Sequence, residues 1–275
     1  MLFSTKMRDK IYVRQVTEKD LDEIMEIERR VWPENMRATR DMLLSRLKTF
    51  PEGFLCVVKN GKIVGFVCSE IIYYKDTKKK NFNWYNLTDN GYITKSHNPK
   101  GDSLYGISLS VLPQNKDAKL ASMLIFDSLG KLIIRKRLKR GVFGARIPSY
   151  YKYAIDFPIE KYIFTIKRNG FFLDPELALY QRIGIYPIRA IKDYFEDNES
   201  LNYGVLVTWK NPYYKITRLF PFLAFLLSKI WRAKLFNSHE LMKIGKSKKY
   251  YYNGKRVKYK EVVSKNDSIN LIYNR

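Results

Sequence analysis

The chain predicts an α/β fold, a mixed sheet with helices on both faces. Three observations predict it. Along residues 11–209 the apolar patterning changes from alternate to helical spacing and back. The order is strand, two helices, hairpin, strand, helix, strand, helix, strand, with a late strand beside it. Asn60-Gly61 separates two apolar runs, the strongest two-residue hairpin signal, because both turn positions need positive φ. Residues 104–138 read as a strand, a tight turn and a long helix, half of a βαβ-like unit.

Residues 11–15 form a short strand. Thr17, followed by Glu18, Lys19 and Asp20, opens a helix with an acidic capping residue three positions on. Leu21, Ile24, Met25 and Val31 place one apolar face on that helix, which ends before Pro33. A second helix follows Thr39, carries Met42, Leu43 and Leu47, and closes at Pro51-Glu52-Gly53. Residues 54–59 and 62–73 are the hairpin strands. Residues 74–103 are polar and aromatic, a loop long enough to gate or line a substrate site.

Residues 104–112 are strand, Pro113 stops it, 114–119 are turn, and 120–138 are helix, apolar around most of its circumference. A helix start with free N–H groups attracts anions, and Lys116 and Lys119 add charge. The turn reads as a phosphate cradle or as an ordinary connection with solvated lysines. Residues 141–146 are strand. Residues 147–173 mix aromatic, basic and turn character. Asp174-Pro175-Glu176 opens a short helix with Asp as cap and Pro in the first turn, stopped by Gly184. Residues 185–191 and 204–209 are strands, closed by Asn211-Pro212. The predicted division is 1–212 as the domain and 213–275 as an extension: an apolar helix over 216–236, then a Tyr/Lys-rich segment.

The formal charge of +24 on 275 residues points to anionic partners, which leaves a phosphorylated cofactor, an anionic membrane and nucleic acid open. With 45% apolar residues the chain is not a disordered one. Cys56 and Cys68 sit in apolar runs and read as buried free thiols. His97 and His239 are the two histidines, too few for a His-based metal site, and no metal is expected. The N-terminus lacks the apolar segment of a signal peptide, and no apolar run is long enough to cross a membrane. A cytoplasmic protein is the expectation, with peripheral membrane attachment open.

Val111-Leu112-Pro113, then Lys116, Asp117, Ala118, Lys119, Leu120 and Ala121, resemble the strand end and cofactor turn of the GNAT superfamily of acyl-CoA N-acyltransferases, a Gln/Arg-x-x-Gly-x-Gly/Ala pattern. Lys116 stands for Gln/Arg, Ala121 matches, and Lys119 departs from the family Gly. Leu179-Tyr180 through Gly184-Ile185 resemble the family's Leu-Tyr-x-x-x-Gly-Phe. Segments such as 89–93, 144–148, 174–176 and 202–206 are similar to acyltransferase domains found beside carbon–nitrogen hydrolases.

The resemblance implies a mostly antiparallel sheet and an N-acyltransferase using acyl-CoA, acetyl or longer, with direct attack by an amine. It assigns the backbone of Leu109, Ser110 and Val111 to the pantetheine arm and the thioester oxygen. The turn from Lys116 and Asp117 through Ala118, Lys119, Leu120 and Ala121 to Ser122 would take the diphosphate. Tyr180 falls where the family places an acid for the departing thiolate. Ser108 and Tyr105 lie near the expected reaction centre, both weak bases. Arg146 could orient an acidic acceptor or a phosphate, or sit in an ion pair.

The partners so implied are a small-molecule or peptide amine, with an acidic acyl carrier protein also open as donor. The apolar tail could lie on an anionic membrane, cover an acyl tunnel, or pack on the domain and form a homodimer. The competing functional reading is a basic nucleic-acid- or membrane-binding protein on a non-catalytic fold of this kind.

Overall fold

The computed structural model describes residues 10–113, 117–167, 169–237, 250–252, 255–257 and 271–272. In chain order the elements begin with β1 (Ile11–Gln15), α1 (Leu21–Val31), α2 (Arg40–Thr49), β2 (Phe54–Lys59), β3 (Lys62–Ile72), α3 (Trp84–Leu87), β4 (Ser103–Val111) and α4 (Ala118–Arg135). They continue with β5 (Arg140–Ala145), α5 (Ile159–Tyr162), β6 (Thr165–Ile166), α6 (Pro175–Gln181), β7 (Tyr186–Ile191), β8 (Gly204–Lys210), α7 (Tyr214–Leu219) and α8 (Leu223–Ile230). Short strands β9 (Tyr250–Tyr252), β10 (Lys255–Val257) and β11 (Leu271–Ile272) complete the described chain.

Two compact units result: Met1–Tyr74, Leu87–Lys139 and Asn211–Arg232 make the first, and Lys75–Asn86, Arg140–Lys210 and Ala233–Arg275 the second. In the first, β1, β2, β3 and β4 pair in that order, each neighbour antiparallel. The β2–β3 turn is the expected Asn60-Gly61 hairpin, with φ of 50° and 83°. Alternation along β4 sends Leu109 and Val111 to one face, where they join Leu55, Val57 and Val67 against Ala121 and Ile125 of α4. Burying one such aliphatic side chain is worth roughly 1.5–3 kcal/mol, so this layer fixes α4 on the sheet.

The opposite face carries α1 and α2. Leu21, Ile24 and Ile27 are buried, as the helical spacing predicts, while Met25 and Val31 stay half-buried at the margin of that face. Thr17 N–H donates to Asp20 Oδ2 at 2.7 Å ahead of α1, and Thr39 Oγ1 caps α2 by accepting from Met42 N–H at 3.2 Å. Part of the expected long loop folds back on α2: Ser45 Oγ donates to Tyr92 O at 2.8 Å and Arg46 Nε to Gly91 O at 2.6 Å.

Helix α4 starts at Ala118, two residues before the predicted start, because the chain turns at Asp117. Ala118 and Lys119 therefore lie in the first helical turn, not in the loop. The apolar helix expected over 216–236 is two short helices, α7 and α8. The chain breaks at Phe220 and Pro221, and Pro221 has no N–H to continue the helical bonding. In the second unit β5, β8 and β7 pair in that order, again antiparallel. Asp174 caps α6 as predicted, accepting from the N–H groups of Glu176 and Leu177 at 2.9 and 3.0 Å. The central strands, the α4 helix and the antiparallel pairing agree with the fold class read from the sequence.

Candidate active site

The ladder between β3 and β4 is broken once. Cys68 opposes Ser108 but Ser69 opposes Gly106, so Ile107 is an extra residue on β4. Such a bulge bends a strand and re-aims its side chains. Here it turns Tyr105 and Ser108 to one face with Cys68 and Glu70, against α1 and α2.

That face is polar and buried. Glu28, Arg46, Glu70 and Ser110 are all buried. Glu28 accepts from Ala38 N–H at 2.7 Å and from Ser110 Oγ at 3.2 Å, and Ser110 Oγ accepts from Trp32 Nε1 at 2.7 Å. Arg46 Nη1 reaches Ser108 Oγ at 3.4 Å. Glu70 Oε2 accepts from Ser96 Oγ at 2.7 Å, while its Oε1 is buried with no hydrogen-bond partner among the described residues. Burial pushes the Glu70 carboxyl up to about 8, against the pull of Ser96 and Arg46. Burial also raises Glu28, opposed by the Ala38 amide and Arg46. The same burial pushes the free thiols of Cys56 and Cys68 up to about 11, so both stay protonated and inert.

At the end of β4 the α4 helix offers its first amides. Ala121 N–H already donates to Asp117 O at 2.7 Å and Ser122 Oγ to Ala118 O at 2.9 Å. The N–H groups of Ala118, Lys119 and Leu120 find no acceptor among the described residues, which is the donor set an anion needs. Ala121 is sealed in the core. The Asp117 carboxylate would repel a diphosphate, but Lys59 of β2 forms an ion pair with it and cancels that charge. Lys119 is exposed beside these amides. Lys116, expected to line the turn, lies outside the described residues, as does His239.

Other predicted residues are placed as follows. Tyr105 is fully buried on β4 opposite Glu70. Arg146 is held by Asp197 at 2.7 and 2.9 Å and by Glu199 at 3.0 Å, the ion-pair alternative that the sequence left open. Tyr180 is half-buried on α6, with its ring edge-on to Phe143 at 4.9 Å. Burial and the neighbouring Glu176 carboxylate hold its phenol above the usual tyrosine range, so it stays protonated. His97 is occupied, its Nδ1 accepting from Ile71 N–H at 3.1 Å.

A groove lined by Arg14, Lys131, Arg135 and Lys136 lies at the other end of α4. Three of its cations are paired, with Asp20, Asp127 and Glu52.

Sequence reasoning missed Glu28, Arg46, Glu70 and Lys59. A signal existed for three of them: Glu28 falls on the apolar stripe of α1, Arg46 beside Leu43 and Leu47, and Glu70 inside the apolar run of β3. A lone charge in an apolar pattern marks a buried polar site.

No protein-family model matches the chain. An uncharacterized N-acetyltransferase of Bacillus subtilis, YkwB, is 37% identical over 207 residues, 74% of this chain and 90% of that protein. A probable hydrolase of the same organism, YhcX, is 33% identical over 208 residues but is matched over only 40% of its own length. Among solved structures, the loading GNATL domain of CurA from Lyngbya majuscula shares the fold, with a TM-score of 0.64 at 21% identity over 74% of this chain and 98% of that one. The GNAT-like decarboxylase GphF, in complex with isobutyryl-CoA, has a TM-score of 0.57 at 26% identity over 72% of this chain and 98% of that one. The antiparallel strands, the bulged β4 and the helix that follows it therefore have a family: the chain belongs to the GNAT superfamily of acyltransferases.

Proposed function

We propose that the chain is an N-acyltransferase that moves an acyl group from acyl-CoA to an amine by direct attack on the thioester. The observation that carries this reading is the likeness to an N-acetyltransferase over 90% of that protein's length. The first amides of α4, at Ala118, Lys119 and Leu120, suit the diphosphate, with Asp117 neutralised by Lys59. The backbone of Leu109, Ser110 and Val111 takes the pantetheine arm and the carbonyl oxygen, an arrangement in which orientation supplies much of the rate.

In the reaction the amine nitrogen bonds to the acyl carbon and the carbon–sulfur bond breaks. The departing thiolate takes up a proton, the role that the family resemblance gives to Tyr180. The proton lost by the amine passes to solvent along a water relay; Glu70, held protonated by burial up to about 8, is not its acceptor at neutral pH. Acetyl is the donor that the name of the 37% identical relative implies, and isobutyryl-CoA, held by the 26% identical decarboxylase, is the longer candidate. A carrier-protein thioester is the alternative donor. A nucleic-acid role draws no support from these relatives.

Incubating the protein with acetyl-, isobutyryl- and longer acyl-CoA and a panel of amines should release free thiol together with amide product. No thiol release and no CoA binding would overturn the reading. Tyr180→Phe should lower kcat about 100-fold with KM for acyl-CoA little changed, measured by steady-state kinetics. An unchanged kcat removes Tyr180 from the chemistry.

A further inference from the structure

Helices α7 and α8 are built inside out. The residues that α8 buries are small: Ala224 is 4% exposed and Ser228 1%. The residues shown to solvent are large and apolar: Phe222, which caps α8, is 69% exposed, Ile230 of α8 70% and Leu219 of α7 71%, with Phe225 and Leu226 beside them. An ordinary surface helix does the reverse.

The small residues have a use, because they let α8 lie close on α4. At the crossing Gly130 of α4 meets the Trp231 indole so closely that a Cβ there would stand 2.5 Å from its Nε1. Small residues at the helix contact with large apolar residues turned outward is the pattern of helices whose outer solvent is lipid.

Two occupants compete for this face, a second copy of the chain and a membrane surface. Charge decides between them. Residues 213–232 contain Lys215, Arg218, Lys229 and Arg232 and no carboxylate. A two-fold dimer through this face would set those cations against themselves. An anionic bilayer would attract them while the apolar side chains enter the acyl boundary. Lys229 already lies with its Nζ 4.2 Å from the Phe225 ring centroid, its stem along the apolar face and its charge at the rim.

No helix is long and apolar enough to cross a membrane among the described residues, so the pair lies in the interface plane. We propose that α7 and α8 form an amphipathic foot that docks the protein on anionic lipid. The proposal stands apart from the acyl-transfer reading.

The test is flotation of the full chain with phosphatidylglycerol-containing vesicles and with phosphatidylcholine alone. Flotation should need the anionic lipid and weaken with salt. Phe222→Ser with Phe225→Ser should weaken it at least about tenfold. Lys229→Gln with Arg232→Gln should weaken it roughly 25-fold. Amide hydrogen exchange of the unaltered protein should show new protection over 214–230 on anionic vesicles, a readout independent of how the variants fold. No flotation, flotation that both double variants keep, or a dimer in solution that Phe222→Ser dissolves would overturn the proposal.

Discussion

Within the first unit two surfaces break the usual division of polarity in opposite directions. The face of β3 and β4 under α1 and α2 holds Glu28, Arg46 and Glu70 where apolar residues belong. The outer face of α7 and α8 holds Leu219, Phe222 and Ile230 where charges belong. Burial of charge is costly unless every group is bonded, and exposure of large apolar groups is costly unless something covers them. Folding alone favours neither arrangement. The first departure keeps protonatable groups buried on the face of the strand that carries Ser108, and the second leaves large apolar groups at the surface.

The comparison has sharp consequences for stability. The largest is at Arg46, which is buried and gives its Nε to Gly91 O at 2.6 Å. Arg46→Ala should cost about 3 kcal/mol or more in urea unfolding, because it leaves Glu28 and the carbonyl without their cation. A cost near zero would mean that the face is wet and the contrast between the two surfaces is false.

Next comes Glu70, whose folded carboxyl is raised by burial to about 8. The folded state then binds more protons than the unfolded one between the ordinary carboxylate range and that value. Stability should fall as pH rises through this window, by up to about 1.4 kcal/mol per pH unit. Glu70→Gln, titrated in parallel, should abolish that part of the slope and raise stability near pH 8. Parallel curves for both proteins would show that Glu70 ionises as freely folded as unfolded.

The smallest effect is expected on the other surface. Phe225→Ser in α8 should change unfolding free energy by no more than about 0.5 kcal/mol, since the ring is over half exposed, at 52%. A loss as large as that at Arg46 would mean that the ring is packed in solution, against another chain.

Much of the fold could be read directly because its signals are local. Asn60-Gly61, Pro113, and Asp174 followed by Pro175 each fix backbone geometry within a few residues, and the strands and helices fall around them. The polar face could not be read this way. Glu28 meets Ser110 across 82 positions and Lys59 meets Asp117 across 58, and no periodicity encodes which buried charge finds which partner. Arg146 illustrates the same limit: its sequence context suits a ligand as well as it suits Asp197. The tail was legible in composition but not in form, because Pro221 divides what hydropathy alone reads as one helix. The bulge at Ile107, which turns Ser108 toward Arg46, leaves no mark in the strand's alternation until its partner strand is known.

The claim on which the enzyme reading rests is that the first amides of α4 grip the cofactor's diphosphate. Its most direct test is a backbone amide NMR titration of the protein with CoA. The account predicts saturable shifts centred on Ala118, Lys119 and Leu120, with smaller ones at Leu109 and Val111. Shifts absent from these residues at saturating CoA, or confined to another surface, would contradict it.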